Sequence, residues 1–397
     1  MINQIAVTTH LALIAVQLLF IAAPPFSFRN SFLAGAIVVL VISTHIVGPS
    51  SDQVSEAQPY TVLWPIWLAT LEKCITARNS NIEDSYWRID RPEREGNDML
   101  PFAPMKFLWV GAMMANRRLI RWNMQVPNVR PVRTKGTPAA NQLPKWRFLV
   151  TQIFNLLEMI IGIDVVIQIL LRSHAINTDN HGERPFNKVL LGFALGFSEY
   201  ALQNIMYAAG AILTVLFNLC QPEDWPPLFG KFIDATTVGA FWGKCWHQSI
   251  RRPLTTFSNC ATNLMGLAPG SALRYYVHVW IAFAISGMMH AQAFALLPLP
   301  SNLTRGMVAT GTMYFFLWQA LVVNAEDLID RVLRTAGIET SSFGRWKRPI
   351  GYCWVVLSLA ISLPWVADIL MELWGIEQMR SSPTLAGPLL DKVWTKG

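Results

Sequence analysis

Charge is what this sequence of 397 residues has least of: Asp, Glu, Lys and Arg make up 14% of it, against 52% hydrophobic residues and a mean hydropathy of +0.33. A soluble globular domain carries about 25% charged residues. So long a chain with so little polar surface would not stay dispersed in water. Cysteine is scarce as well. The five, at 74, 220, 245, 260 and 353, form no CxxC pair and no closely spaced even-numbered set, which points away from a disulfide framework and from a thiolate metal site. Neither a metal nor a bound cofactor is expected. The N-terminal apolar run, Ile5 to Ala23, lacks a basic lead-in and a small-x-small cleavage site ahead of a soluble domain. It reads as a retained first span rather than a cleaved signal peptide. Internal repeats, heptads and low-complexity tracts are also missing, so residues 1–397 read as one membrane-embedded domain.

What is present is a series of long apolar runs. A helix needs about 20 residues, at about 1.5 Å each, to cross a hydrocarbon core of about 30 Å. Seven runs qualify: Ile5–Ala23, Ser31–Val47, Phe148–Leu171, Val189–Phe217, Tyr276–Leu297, Gly306–Val323 and Ile350–Leu373. An eighth, Tyr60–Ala77, is short, ends in Glu72 and Lys73, and either spans or lies in the interface. The expected fold is an all-α, polytopic bundle of about eight spans.

The formal charge of +7 is placed where a membrane protein would put it. Between Met99 and Arg147 there is no acid, while Lys106, Arg117, Arg118, Arg121, Arg130, Arg133, Lys135, Lys145 and Arg147 all fall there. That bias assigns the stretch to the cytoplasmic side. Within it, Phe107–Ile120 suits a helix lying along an anionic bilayer surface, with its arginines at the headgroups. A nucleic-acid patch is the rival explanation of the basic excess; the adjoining spans favour the lipid bilayer as partner. Counting outward over eight spans puts both termini on the lumenal side, together with the loop Pro298–Thr304. That loop holds the sequon Asn302-Leu303-Thr304, a candidate glycosylation site.

Ionisable groups inside a span are costly and mark function by default. Here they are Glu158, Asp164, Glu199, His278 and His290. Asp164 and Gln168, one turn apart, suit each other as partners, and Glu158 suits a neighbouring helix. His290 is different. In Ile285-Ser286-Gly287-Met288-Met289-His290 the small residues three and four positions back share its face and leave room for a ligand or a close helix. A sheltered imidazole titrating near neutrality is suited to general-base work. A core histidine bonded to another helix is the competing reading. From a helix start at Tyr276 it lies 14 residues along, roughly 21 Å, beyond the midplane.

A second motif precedes that span: Phe241-Trp242-Gly243-Lys244-Cys245-Trp246-His247-Gln248, followed by Arg251 and Arg252. Trp242 and Trp246, four apart, share a helical face and suit the bilayer interface. Anchoring alone would explain the rings. It leaves the titratable His247 and the amide of Gln248 at the same depth unexplained. Lys244, Arg251 and Arg252 lie on the expected cytoplasmic side, where they could meet either the phosphates of a nucleotide-bearing substrate or lipid headgroups.

Together these motifs, Phe-Trp-Gly-x-x-Trp-His-Gln upstream of Ser-Gly-x-x-His, resemble the wax-synthase-like branch of the membrane-bound O-acyltransferases over Asp234 to His290. The resemblance implies transfer of an acyl group from acyl-CoA, a co-substrate, to a hydroxyl. It implies that His290 is the central catalytic residue and His247 its polar partner. Trp242, Trp246, Gln248, Lys244, Arg251 and Arg252 are the candidate substrate or CoA contacts, with lipid headgroups the alternative for the three cations. A nucleophilic Cys245 is the weaker alternative, because a thioester can be attacked directly by the acceptor and nothing marks its thiol as acidic. The compact length and the Pro/Arg-rich cytoplasmic segment are similar to fungal members that acetylate terpenoid or meroterpenoid alcohols in secondary metabolism, which implies acetyl-CoA and a membrane-soluble acceptor. A long-chain wax ester synthase is the alternative within the class. A transporter with an intramembrane proton relay is the alternative outside it, but the inverted repeats and broken helices it calls for are missing. A multi-pass protein of this kind would reside in the endoplasmic reticulum.

Overall fold

The structure, a computed structural model, describes residues 1–61, 64–129, 144–172, 185–337, 346–374 and 383–394. Its helices are α1 (Gln4–Ala22), α2 (Arg29–Val47), α3 (Val54–Thr61), α4 (Trp64–Thr76), α5 (Ile82–Ser85), α6 (Pro104–Ala115), α7 (Lys145–Arg172), α8 (Pro185–Leu216), the turn α9 (Val238–Ala240), α10 (Arg251–Leu264), α11 (Ala272–Ala295), α12 (Arg305–Thr335), α13 (Lys347–Trp374) and α14 (Gly387–Trp394). No strand occurs among the described residues. Seven of these helices, α1, α2, α7, α8, α11, α12 and α13, are long and apolar enough to cross a membrane. The protein is an all-α, multi-pass membrane protein. The seven are the seven clear runs of the sequence.

Where structure and expectation differ, the reasons are local. The eighth run covers the end of α3 and all of α4, on either side of residues 62 and 63, which lie outside the described residues; α4 itself has 13 residues. It is not one of the seven described helices long and apolar enough to cross a membrane. In the basic stretch the helix stops at Ala115, closed by Asn116, before the arginines begin; Lys106 and Arg118 are buried instead of lying along a surface. Arg130, Arg133 and Lys135 fall outside the described residues. α12 runs 12 residues beyond Val323, because a polar, ion-paired sequence continues a helix that hydropathy alone would end: Asp327–Arg331 and Asp330–Arg334 are paired one turn apart.

The chain divides into two compact units, one of residues 1–132 with 248–337 and one of residues 133–247 with 338–397. In the first, α1 and α2 pair, and α4 and α6 close a core of Leu33, Ile37, Tyr86, Trp109, Met113 and Trp122. Charges are built into it in matched sets. The buried Glu83 accepts from Arg29 and from Lys106, the latter at 3.0 Å, and Lys106 also donates to the Gly96 carbonyl at 2.6 Å. Burial alone would push the Glu83 carboxyl up, but the two cations overcome it and hold it below the ordinary carboxylate range.

In the second unit α7 pairs with α8, and α8 with α13. Gly192 is needed for that approach, since a side chain there would begin 2.8 Å from Cβ of Leu363. Asp164 does not pair with Gln168. Its carboxylate accepts from the Thr384 hydroxyl at 2.6 Å and from the amides of Leu385 and Ala386 at 2.7 and 2.8 Å, at the start of α14. Gln168 accepts from Arg172, which also reaches Asp391 at 2.5 Å. The intramembrane acid is thus explained by a C-terminal contact. Glu199 has Gln203 one turn on, at 2.5 Å.

Candidate functional site

The Phe-Trp-Gly-x-x-Trp-His segment lies in the second unit, on an unusual turn. The Thr237 hydroxyl caps α9 by accepting from the Ala240 amide at 2.9 Å, and residues Phe241–Cys245 then continue as a π-helix. Its defining bond runs from the Trp246 amide to the Phe241 carbonyl, five residues back, at 2.8 Å. Single π turns widen a helix and recur at functional sites. The two tryptophans meet as expected, edge to face at 5.8 Å between ring centres, although the turn that brings them together is not an α-helical one. Phe241 packs on both, and Phe229 meets Trp246 at 5.1 Å and the His247 imidazole at 5.9 Å. His247 therefore sits among aromatic edges. Lys244 is exposed, on the outside of the turn.

What fixes the turn is Phe229-Gly230-Lys231, which sequence reasoning passed over. The Gly230 amide donates to the Cys245 carbonyl at 2.8 Å, and the Cys245 thiol donates to the Lys231 carbonyl at 3.1 Å. A Cβ on Gly230 would lie 2.1 Å from the Lys244 carbonyl oxygen, so the backbones touch. Cys245 is buried, and burial pushes its thiol above the usual range, the opposite of an activated nucleophile. A glycine directly after an aromatic, 11 residues before the motif's first residue, Phe241, was the signal available.

The remaining motif residues begin the first unit's second segment. Gln248 is buried and accepts from Arg251 at 2.8 Å, and burial lowers the pKa of Arg251. Arg252 donates to the buried carboxylate of Glu72 at 2.6 Å and to the Met124 carbonyl at 2.8 Å. Burial would lower its pKa, but Glu72 prevails and raises it. Glu72 also accepts from the Tyr86 hydroxyl and the Thr76 hydroxyl, both at 3.1 Å, so the acid that ends the short eighth run is the anchor of α10. The charge of Arg252 is matched within the protein.

His290 is half-buried on α11, 18 residues from its first residue and only five from its last. That places it about 27 Å from one end and about 8 Å from the other, nearer the loop Pro298–Thr304 than the sequence suggested. The helix begins a turn earlier than Tyr276, capped by Ser271, whose hydroxyl accepts from the Arg274 amide at 3.2 Å. Nδ1 of His290 donates to the Ser286 carbonyl one turn back at 2.7 Å, and the ring lies 4.6 Å from that of Phe316. A neutral imidazole has a single N–H; with that proton on Nδ1, Nε2 is its basic nitrogen. The small residue at 287 serves helix packing: a Cβ there would lie 2.8 Å from the Met313 sulfur and 3.1 Å from Cβ of Phe316. Two residues past His290, the Gln292 side chain bonds to Nε2 of His45 on α2, a contact with no sequence signal. Ile250, Leu68 and Met289 form the small core that ties this turn to α4 and the start of α10. Asn302 is exposed in the loop, and the sequon's Thr304 caps α12 by accepting from the Met307 amide at 3.2 Å.

Residues 225–318 match the Membrane bound O-acyl transferase family. The interval holds both histidine motifs, and the family resemblance expected from them is shown. Among curated proteins the chain is similar to acetyltransferase ple2 of Rhodocybe pseudopiperita, 35% identical over 162 residues and 41% of each chain. It is 34% identical over 186 residues to acetyltransferase spyB of Aspergillus fumigatus, across 43% of this chain and 30% of that one. With acetyltransferase aurG of Calcarisporium arbuscula it shares 27% identity over 279 residues, 64% of each chain. In each case less than two thirds of the relative's length is spanned.

Proposed function

We propose that this protein, as one membrane-embedded domain over residues 1–397, transfers an acyl group from acyl-CoA to the hydroxyl of a hydrophobic acceptor, in the endoplasmic reticulum. The observation that carries the reading is the family match over 225–318, an interval whose intramembrane histidine is held in the tautomer a general base needs. In this mechanism Nε2 of His290 takes the proton of the acceptor hydroxyl as its oxygen attacks the thioester carbonyl. A C–O bond forms, the tetrahedral intermediate collapses, and the C–S bond breaks. The imidazolium returns its proton to the departing CoA thiolate. While charged, it keeps the Ser286 carbonyl as partner of Nδ1–H. Transfer is direct, in a ternary complex, and the buried, hydrogen-bonded Cys245 forms no acyl-enzyme.

His247 retains the polar role that the family resemblance gives it, stabilising the oxyanion or fixing the acyl chain, with Trp242 and Trp246 as the aromatic wall beside it. Lys244 and Arg251 bind CoA phosphates, and Gln248 orients Arg251. For Arg252 the match with Glu72 favours anchoring of α10 over phosphate binding. Acetyl is the acyl group favoured by the similar proteins, which are named as acetyltransferases. The acceptor class is a terpenoid or meroterpenoid alcohol of secondary metabolism, a rigid polycycle that partitions into the bilayer and reaches an intramembrane base without crossing water.

The test is to incubate microsomes containing the protein with labelled acetyl-CoA or palmitoyl-CoA and a panel of terpenoid and fatty alcohols, following ester formation and CoA release. Acetyl esters of polycyclic alcohols are expected. A palmitoyl and fatty-alcohol preference would make the protein a wax ester synthase instead, and CoA release with none of the pairs would sink the acyltransferase reading.

A further inference from the structure

Hydroxyls inside these helices nearly all bond back to their own backbone. Thr8, Thr9, Thr151, Ser198, Thr214, Thr262, Thr335 and Ser362 each donate to the carbonyl four residues back, at 2.8 to 3.0 Å. That is the ordinary way for such a group to be satisfied away from water. Two fully buried hydroxyls among the described residues do not, Ser258 on α10 and Thr312 on α12. Leaving a buried hydroxyl unbonded costs about 1–3 kcal/mol, so each calls for a partner that comes and goes.

Thr312 lies on α12, the helix packed against α11, which carries His290. α11 and α12 form a hairpin joined by the loop 296–304, and run antiparallel. Their register is set at two places: the Asn324 amide donates to the Tyr276 carbonyl at 3.3 Å, and Gly287 is in close contact with Met313 and Phe316. One turn back along α12 from Phe316 therefore corresponds to one turn forward along α11 from Gly287, which is the turn of His290. Thr312 shares the buried face of α12 with Phe315, Phe316 and Gln319, the face that holds the ring stacked on the histidine. Both side chains lean toward the N-terminus of their own helix. The Thr312 hydroxyl has no hydrogen-bond partner, the imidazole included, while Nδ1 of His290 bonds to Ser286.

We infer that the Thr312 hydroxyl is an oxyanion donor: it hydrogen-bonds the carbonyl oxygen of the acyl thioester while Nε2 of His290 deprotonates the attacking alcohol, an assignment that rests on the acyl-transfer reading. Charge on that oxygen grows as the C–O bond forms and falls as the C–S bond breaks, so a donor already desolvated and unbonded at rest gives up no partner in order to serve the transition state. The acyl group gains this donor by displacing the side chains that close over it. Met313, whose sulfur fills the space against Gly287, is the flexible chain in the same turn.

The experiment compares acetyl transfer in microsomes by the wild type, Thr312→Val, Thr312→Ser and His290→Ala, with the melting temperature of each purified protein in detergent. Valine keeps the shape and removes an unsatisfied group, so a purely structural role predicts an equal or higher melting temperature with unchanged kcat. The oxyanion role predicts the same melting behaviour, kcat lower by about tenfold to a hundredfold, KM for acetyl-CoA within about twofold, and Thr312→Ser within about threefold of wild type. Wild-type kcat in Thr312→Val with an inactive His290→Ala overturns the inference and leaves the acyl-transfer mechanism standing. Wild-type kcat in His290→Ala overturns both.

Discussion

A Cβ added to Gly230 would sit 2.1 Å from the carbonyl oxygen of Lys244, closer than any real Cβ contact, so the loop before the tryptophan motif and the motif's π turn are built backbone against backbone. The same glycine donates its amide to Cys245, and the two contacts together fix where Trp246 and His247 begin. Gly230→Ala is expected to cost more than about 2 kcal/mol through forced backbone displacement. Gly35→Ala, on α2 with nothing within 4 Å of the added methyl, should stay within about 1 kcal/mol of wild type. Thermal melts of the two variants in detergent measure the contrast, and equal melting temperatures would show that the π turn does not depend on that approach.

The two arginines at the head of α10 should separate. Arg252→Met removes the hydrogen-bonded cation of the buried Glu72, leaving it, among the described residues, only Lys73 at 3.9 Å, and is expected to destabilise the protein by about 3 kcal/mol, as broken buried pairs do. Lys244→Ala, at an exposed side chain, should leave the melting temperature unchanged and raise KM for acyl-CoA severalfold. Titrating ester formation against acyl-CoA, alongside melts of both proteins, checks the division of labour.

Acid should undo the Arg29–Glu83–Lys106 cluster. The folded carboxyl of Glu83 is held below its ordinary value of 4.5, so its contribution is fully present above that value and is lost as pH falls from there through the depressed folded value. Glu83→Gln should lower stability at neutral pH and flatten the acid limb of the profile below the ordinary carboxylate value of 4.5. Melting temperature against pH for the two proteins is the measurement; parallel acid limbs would place the acid sensitivity elsewhere.

Much of the fold could be read directly from the chain, because hydropathy reports what lipid requires. All seven spans were legible, since each is an uninterrupted apolar run. Their ends were less so: α11 starts at Ala272 and α12 ends at Thr335 because Ser271 and ion pairs one turn apart sustain helix where the sequence is no longer apolar. α4 was ambiguous for a related reason, since Glu72 and Lys73 lie at its end whether it spans or not; burial beside Arg252 and Tyr86 decides their role. At the site, His290 and His247 announced themselves as titratable groups in apolar surroundings. Gly230, Gln292 with His45, and Thr312 did not, because their importance arises from what tertiary packing brings beside them or fails to supply.

The contact between Asp164 and the start of α14 predicts a local readout. Asp164→Ala removes the acceptor of three hydrogen bonds, and the amides of Leu385 and Ala386 should lose their protection while those of α8 keep theirs. Hydrogen exchange followed by mass spectrometry in detergent resolves the two regions. Unchanged protection at residues 384–386 would mean that Arg172 alone holds the segment.

The central claim is that His290 is the base of an acyl transfer. It is tested most directly by the rate of labelled acetyl ester formation in microsomes containing equal amounts of wild type and His290→Ala, with acyl-CoA saturating and the preferred alcohol supplied. Loss of a general base at this position predicts a fall of at least about a hundredfold in kcat, with the melting temperature of the purified variant little changed. Ester formation at the wild-type rate in His290→Ala would contradict it.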